Sequence, residues 1–580
     1  MRKNIIPICV SPRARTVILL VLLLLLLGIT NYWVLSQDKI PPLHDANICY
    51  SNSCEYYGYF TQGFQAAHFK RLFTHISFYP PLYMLIPVPF YFLNGPSHDA
   101  MAMLNIFYLI LLIISIRKLG NFVFGRPTGT AAAIVVLTFP AIIGFSRITH
   151  MNIALTAVVT FNVYLLIKSD SFCSRKYSIL AGVIAGLGCW LSSKHMIYII
   201  IPALICFLQG VFSRERDCQA PRRVRIINSM LFLCAAIFIL APYYVPAVMY
   251  RIQPEPAVMY RAVSLQFLGA AANFNLYQLF LHAFQYIKLI IPLILTPNFI
   301  LFGLSVIVLA PVLFKRKNGL ICLGWFLSPV FIFPVFTGFI KAQPRFLLPV
   351  LPLIAILIAG LLLRIAKFLK LYCHKISTIL MIGLICLILA SDRVFFLKQH
   401  PYPGNAAELL GSRAQYGLLH AVAEETPVSE LFTFLNAELA DRNYSGIIVI
   451  IFEDDNDTAP LALELIYDKL RSSGLDIRIF TPMGLSIESK LRQYGYSQNE
   501  DFVKGVFMSS DYILYVKNGT RQHTMGRMEE GLFKNNAILK RLFLRAADNI
   551  KLIWQSQPTA ESFFSETLLL FRHHRKGGFL

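Results

Sequence analysis

Long apolar runs recur along the first two thirds of the sequence and limit what the chain can fold into. About eleven runs of about twenty residues lie between residues 16 and 397, and this length matches the hydrocarbon core of a bilayer. The chain is 56% hydrophobic and 14% charged, with a mean hydropathy of +0.58. Because a helix satisfies its own backbone hydrogen bonds inside lipid, the sequence predicts a polytopic α-helical membrane protein. The predicted spans are 16–36, 101–117, 128–145, 150–168, 177–192, 195–212, 226–247, 288–313, 319–338, 346–365 and 376–397.

The first apolar run resembles a secretory signal peptide because basic residues precede it. Arg13 and Arg15 stand directly before residues 16–36. The run is long for a signal peptide, and no small-residue cleavage site follows it. We therefore interpret it as a retained first transmembrane helix, with the N-terminus in the cytoplasm.

Basic residues are concentrated in alternate loops, which predicts the orientation of the chain. With the N-terminus inside, every predicted cytoplasmic loop is basic, as the positive-inside rule requires. These loops carry Arg117, Lys118 and Arg126; Lys168, Arg175 and Lys176; Arg214, Arg216, Arg222, Arg223 and Arg225; Lys315, Arg316 and Lys317; and Arg364, Lys367, Lys370 and Lys375. The net charge of +22 then reflects an anionic cytoplasmic leaflet, and no basic–aromatic stripe or motif indicates nucleic-acid binding.

The external segments differ in kind from the basic loops. Residues 37–100 are rich in Tyr and Phe, and we expect an amphipathic helix over 55–73 that lies at the membrane interface. Cys49 and Cys54 in this segment are either a disulfide or two thiols. A second external loop spans 248–287.

The composition becomes that of a soluble domain near residue 398. We expect strands at 446–452, 476–480 and 511–516 and a helix at 460–473, an alternation typical of a small α/β domain with a partly parallel sheet. The predicted organisation is a transmembrane domain over 1–398, followed by an external, periplasmic α/β domain over 399–580.

Two cations lie on the predicted external side, away from the basic loops. Lys194 stands between two spans, and Arg345 is at the head of another. Each alone is explained by an interfacial anchor whose charge extends to the headgroups. Together they indicate an anion, because a compact ammonium and a bidentate guanidinium both suit phosphate.

The same side carries acids that can serve a reaction. Asp45 follows the first span closely, and Glu55 begins the expected interfacial helix. A carboxylate there can deprotonate an acceptor hydroxyl or bind a divalent metal cation. Taken alone, Asp45 is equally a solvated loop residue, and Glu55 a first-turn acid favoured by the helix dipole.

Further polar residues occur where the fourth span begins. Arg147, His150 and Asn152 either cap that helix or line a cavity, and the spacing does not separate the two. Tyr79, in an aromatic segment before the second span, is the fourth candidate for a pocket.

Four stretches, in this order, resemble the GT-C fold membrane glycosyltransferases, in the branch of the protein O-mannosyltransferases and the lipid A aminoarabinose transferases. The stretches are the first-loop acids Asp45 and Glu55, Phe78-Tyr-Pro-Pro-Leu-Tyr83, Gly186-Leu-Gly-Cys-Trp-Leu-Ser-Ser-Lys194, and Pro344-Arg345-Phe-Leu-Leu-Pro-Val-Leu-Pro352. The resemblance implies transfer of a sugar from a polyprenyl-phosphate carrier to a lipid, glycan or protein acceptor on the external face. Short loops and the N-terminus suit a bacterial inner membrane.

The resemblance also implies roles for the candidates. Asp45 is the expected general base, with Glu55 the competitor, and Lys194 and Arg345 are the expected ligands of the donor phosphate. A base opposite the leaving phosphate implies inversion at the anomeric carbon. Many relatives carry an Asp where this chain has Asn152, which leaves the need for a divalent metal at Asp45 or Glu55 open. A transporter or flippase of a lipid-linked glycan, and a membrane scaffold, are the alternative functions.

Overall fold

The computed structural model describes most of the helical region and five strands of the C-terminal region. The described residues are 12–37, 45–61, 80–212, 220–251, 284, 290, 294, 296–315, 317–337, 344–372, 445–452, 476–480, 512–517, 550–555 and 567–573.

Fifteen α-helices and one 3₁₀ helix are described in the N-terminal region. They are α1 (Pro12–Gln37), α2 (Asp45–Thr61), α3 (Leu82–Leu85), α4 (Val88–Asn94), α5 (His98–Met103), α6 (Asn105–Phe124), α7 (Arg126–Val136), α8 (Pro140–Ser146), α9 (Asn152–Lys168), α10 (Arg175–Leu191), α11 (His195–Phe212), α12 (Arg222–Arg251), α13 (Thr296–Lys315), α14 (Lys317–Thr337), the 3₁₀ helix (Pro344–Val350) and α15 (Leu351–Tyr372).

Helices occur at all predicted spans that the structure describes, and the span predicted at 376–397 lies outside the described residues. By length and composition, four helices within the described ranges can cross a membrane, or five if a bent pair counts as one span. Several others are apolar but shorter. The start of the helix predicted over 55–73 needs correction, because α2 begins at Asp45, and residues 62–73 lie outside the described residues. The pattern of aromatic residues placed the start of this helix ten residues too late.

The bent pair consists of α7 and α8, whose axes meet at 63°. Pro140 has no backbone N–H to continue the α7 ladder. The residue before it, Phe139, is extended, with φ −69° and ψ 122°, as expected of a residue that precedes proline. The break therefore follows directly from one proline in the sequence.

The interior of the helical region is built around α15 and α9. Residues 351–362 are all buried, and α9 is buried over nearly its whole length. In contrast, α1 and α12 expose large apolar side chains, including Ile29, Trp33 and Phe238. Exposed apolar faces of this kind suit contact with lipid tails.

The direction of successive helices brings one set of ends together. The helix α9 runs away from residue 152, α10 returns to residue 191, and α11 leaves again from residue 195. The 3₁₀ helix packs against α9 and α14 and begins at this same side. Residues 147–152, 194 and 345 therefore lie toward one end of the helical bundle.

The C-terminal strands form one five-stranded mixed sheet in the order β2-β1-β3-β5-β4. The strands are β1 (Ser445–Phe452), β2 (Asp476–Phe480), β3 (Tyr512–Lys517), β4 (Ile550–Gln555) and β5 (Thr567–His573). β1 is parallel to β2 and β3, whereas β5 is antiparallel to β3 and β4. The three predicted strands and the partly parallel sheet are confirmed. The helix predicted at 460–473 lies outside the described residues, so the α/β character stays a prediction.

The chain divides into two compact units. One comprises Met1–Ser36 and Asn52–His420, and the other comprises Gln37–Ser51 and Ala421–Leu580. The domain boundary predicted at residue 398 falls among residues that the structure does not describe.

Candidate functional site

Lys194 lies in the tight turn between α10 and α11. The amide of Ser192 donates to the carbonyl of Gly188 at 2.8 Å, and the amide of His195 donates to Ser192 O at 2.9 Å. These bonds end α10 and start α11 within a few residues. Lys194 is half-buried, as the predicted position between two spans requires.

The turn brings Lys194 to the residue that follows Arg345. Lys194 Nζ lies 4.1 Å from the ring centroid of Phe346. The guanidinium carbon of Arg345 lies 5.6 Å from the same centroid. Both distances are within the range of cation–π attraction. The fold thus gathers the two predicted phosphate ligands, which are far apart in the sequence, around one aromatic side chain.

Hydrogen bonds hold the start of α11 against the 3₁₀ helix. The hydroxyl of Tyr198 donates to the carbonyl of Phe346 at 2.6 Å. On α14, the hydroxyl of Ser328 donates to the carbonyl of Ile197 on α11. The backbone that carries Lys194 is therefore tied to the backbone that carries Arg345.

His195 is completely buried beneath the turn. Its Nε2 lies 3.1 Å from the side-chain amide of Asn162 on α9. A Cβ at Gly188 would come within 2.5 Å of three ring carbons of His195, so only glycine leaves room for the imidazole there. His195 is therefore a buried polar side chain packed beneath the turn, and no group of three metal-ligating side chains occurs in the described ranges.

The acids of the first loop lie on or at the start of α2. Asp45 is the first residue of this helix, and its side chain is outside the description. Glu55 is half-buried and accepts a hydrogen bond from the hydroxyl of Tyr59, one turn later. Tyr79 also lies outside the described residues. Whether Asp45 or Glu55 is the base stays a prediction.

The segment of α2 that carries Glu55 is fastened to the helices that follow it. Ser53 Oγ donates to the carbonyl of Met84 at 2.7 Å. The ring of Tyr57 meets Tyr91 and Phe92 edge-on, with centroid distances of 5.9 and 5.2 Å. The Glu55 carboxylate therefore has a defined position on the bundle.

A second polar cluster surrounds the connection between α8 and α9. Arg147 Nε donates to Asn31 Oδ1 on α1 at 2.9 Å, and Asn31 Nδ2 donates to Ser146 Oγ at 2.8 Å. Asn105 Nδ2 on α6 bonds to the carbonyl of Ile148 at 2.7 Å and to that of Ser146 at 3.3 Å. Tyr83 OH donates to Asn105 Oδ1 at 3.3 Å. Helices α1 and α6 thus hold this connection directly, and α3 supports it through Asn105.

The predicted pocket residues Arg147, His150 and Asn152 are all buried. Burial lowers the pKa of Arg147 to about 10, so its guanidinium remains charged at neutral pH. Asn152 is the first residue of α9, and no side-chain hydrogen bond caps that helix. Whether Arg147, His150 and Asn152 line a cavity stays a prediction.

Sequence reasoning missed several residues that build this site. Asn31 is a single amide in an otherwise apolar helix, and a polar residue in such a helix signals an interior partner. Phe346 stands beside Arg345 in the sequence, but nothing local indicates that Lys194 packs on it. Tyr198 gives no local signal either.

Comparisons with known proteins agree with this architecture. Residues 79–250 match the family model described as dolichyl-phosphate-mannose-protein mannosyltransferase. The structure of ArnT from Cupriavidus metallidurans bound to undecaprenyl phosphate is similar with a TM-score of 0.55 and 12% identity, over 96% of this chain and 97% of that chain. AglB from Archaeoglobus fulgidus, in complex with an inhibitory peptide and a dolichol-phosphate, has a TM-score of 0.50 and 11% identity, over 93% and 80%. No curated protein sequence matches the chain significantly.

The fold is that of the polytopic GT-C membrane proteins, as the resemblance in sequence implied. The apo structure of the same ArnT, with a TM-score of 0.54 over 97% of this chain, agrees. The family match over residues 79–250 agrees with this GT-C fold.

Proposed function

We propose that the protein transfers a sugar from a polyprenyl-phosphate carrier to a lipid, glycan or protein acceptor on the external face of a bacterial inner membrane. Lys194 and Arg345 hold the donor phosphate, and Asp45 removes the proton of the attacking acceptor hydroxyl. Attack opposite the leaving phosphate inverts the anomeric carbon.

One observation carries this proposal above the others. Lys194 and Arg345 both lie beside the ring of Phe346, so the fold brings two cations to one place. A phosphate between them would form charge-assisted hydrogen bonds with both. Two structural neighbours were solved with a polyprenyl phosphate, undecaprenyl phosphate and dolichol-phosphate, which supports the same class of ligand for this chain.

The chemistry needs charge stabilisation more than covalent participation by the protein. As the glycosidic bond breaks, negative charge grows on the departing phosphate, and fixed cations stabilise it without reorganising. The base must reach the acceptor hydroxyl in the opposite direction. Glu55, which shares a hydrogen bond with Tyr59, is the competing base, and either acid is the candidate ligand if a divalent metal takes part.

The test is transfer of radiolabelled sugar from a panel of polyprenyl-phosphate sugars by the purified full chain, with an acceptor extract supplied. We expect Lys194→Ala and Arg345→Ala each to lower transfer by at least about tenfold, which corresponds to about 1.4 kcal/mol. Arg175→Gln, at the exposed start of α10, is the control for loss of a positive charge.

The same assay separates the two acids. Loss of transfer in Asp45→Asn with retention in Glu55→Gln identifies Asp45 as the base, and the reverse identifies Glu55. Unchanged transfer in both cation variants contradicts the proposal. Movement of a lipid-linked glycan across vesicles without any covalent product indicates the flippase instead.

A further inference from the structure

Arg147 is a buried cation whose charge the described protein does not neutralise. Only 9% of the residue is exposed, and its Nε bonds to the neutral amide of Asn31. No carboxylate within the described ranges forms an ion pair with it. Burying a guanidinium without an anion costs free energy. We therefore expect an anion to bind the terminal amino groups of Arg147.

A second unpaired donor lies in the same connection. The side-chain Nδ2 of Asn152 is buried and has no hydrogen-bond partner among the residues that the structure describes, and the residue is 5% exposed. Guanidinium and amide N–H groups are donors only. Donor groups on two residues five positions apart, at one connection that hydrogen bonds hold, are complementary to an oxyanion.

The connection is close to the proposed donor site but is not part of it. It joins α8 to α9, and both helices pack against the 3₁₀ helix that carries Arg345. Lys194 and Arg345 already gather around Phe346. Asn105 and Asn31 hold the connection through its carbonyls and the hydroxyl of Ser146, so the donors are preorganised before any ligand arrives.

We propose that Arg147 and Asn152 bind a second oxyanion of the substrates, a carboxylate or phosphate distinct from the donor phosphate. This inference rests on the proposed function, and it narrows the substrate class: one of the two substrates carries an additional negative group. That group is either a carboxylate on a sugar or a phosphate on the acceptor. Both present oxygen atoms that a guanidinium binds through paired N–H groups.

The first experiment measures thermal unfolding of the purified full chain in detergent, with undecaprenyl phosphate at saturation and sodium phosphate then added. Sodium chloride at equal ionic strength controls for screening. We expect phosphate to raise Tm by about 1–2 °C beyond the effect of the lipid, because a ligand that binds only the folded state stabilises it. Arg175→Gln is the matched control for the variant Arg147→Gln.

The outcomes distinguish a second anion site at Arg147 from the donor phosphate site. Loss of the phosphate effect in Arg147→Gln, with the undecaprenyl phosphate effect retained, supports the second site, and Arg147→Lys should keep part of the effect. Loss of the undecaprenyl phosphate effect in Arg147→Gln overturns it, because Arg147 then holds the donor phosphate. A wild-type protein that does not respond to phosphate also overturns it, whether or not the variant folds.

Two further arms identify the source of the anion. Glucuronate presents a sugar carboxylate, and phosphoethanolamine presents a headgroup phosphate; the one that reproduces the Arg147-dependent rise in Tm indicates the source. If undecaprenyl phosphate itself gives no stabilisation of the wild type, the proposed function fails. The response to phosphate alone still reports on Arg147, so the two failures are distinguishable.

Discussion

We expect the position of Lys194 to depend on its buried neighbour His195. It is adjacent to Lys194 in the sequence, packs on Gly188 and lies within hydrogen-bond distance of Asn162. A cation can stabilise a departing phosphate only where the charge develops. Small changes in this packing should therefore affect donor binding without removing any charged group.

Gly188→Ala tests this dependence. Its Cβ would meet the imidazole at 2.5 Å, and overpacking of this kind costs about 1–3 kcal/mol. We expect the turn to shift and undecaprenyl phosphate to bind about tenfold more weakly, as measured by titration at a temperature where the variant is folded.

The matched control is Gly303→Ala on α13, since nothing lies within 4 Å of a Cβ there. Its affinity for undecaprenyl phosphate should equal that of the wild type. Equal affinity in Gly188→Ala as well would show that Lys194 is positioned without His195.

Helix α10 illustrates how small residues set the distance between two elements. Gly182 and Gly186 are four residues apart and face α12, so a Cβ at Gly182 would lie 2.2 Å from the carbonyl of Phe232, and one at Gly186 2.6 Å from Ile239 Cβ. Pairs of small residues at this spacing let membrane helices approach closely. Because α10 ends at the Lys194 turn, we expect the contact between α10 and α12 also to set where the proposed phosphate site lies along the bundle.

We expect Gly182→Ala to lower the stability of the helical region by about 1–3 kcal/mol, because a carbonyl of the neighbouring backbone cannot move aside as a side chain can. Thermal unfolding in detergent measures the change. Gly303→Ala should leave Tm unchanged or slightly higher, since alanine favours the helix. An unaltered Tm in Gly182→Ala would mean that α10 and α12 do not need their close approach.

The alternating direction of the helices, taken over the whole protein, predicts which end of the bundle lies on the external face. Arg147, Lys194 and Arg345 lie toward one end of the bundle, and the described basic residues of the predicted cytoplasmic loops, such as Lys168 and Lys176, lie at the other. At the basic end, Lys168 Nζ is 4.9 Å from the ring centroid of Phe122, an arrangement that suits an interfacial anchor. The positive-inside rule then predicts that the substrate end is on the external face.

Labelling with a membrane-impermeant maleimide tests this orientation in intact cells. In a chain whose native cysteines are replaced by alanine, Ser193→Cys should react from outside, because Ser193 is exposed beside Lys194. Lys176→Cys, exposed at the opposite end of α10, should react only after the cells are permeabilised. The reversed pattern would put the proposed site in the cytoplasm.

The positions of the described helices follow from the sequence because their signals are local. Apolar length marks each span, Pro140 breaks one of them, and the alternate basic loops predict the orientation, which stays a prediction. Lys194 and Arg345 could be singled out as cations remote from those loops. Aromatic periodicity was a weaker guide, since α2 begins ten residues before the helix expected at 55–73.

The shared ring of Phe346, the link between Asn31 and Arg147, and the glycine beneath His195 emerge only from the folded chain. Each joins residues on separate helices, and no periodicity within one helix encodes which neighbour it will meet. Helix packing decides that choice through side-chain volume and backbone distance. Sequence patterns therefore identify the candidate charges, whereas the tertiary contacts determine which of them can act on one substrate.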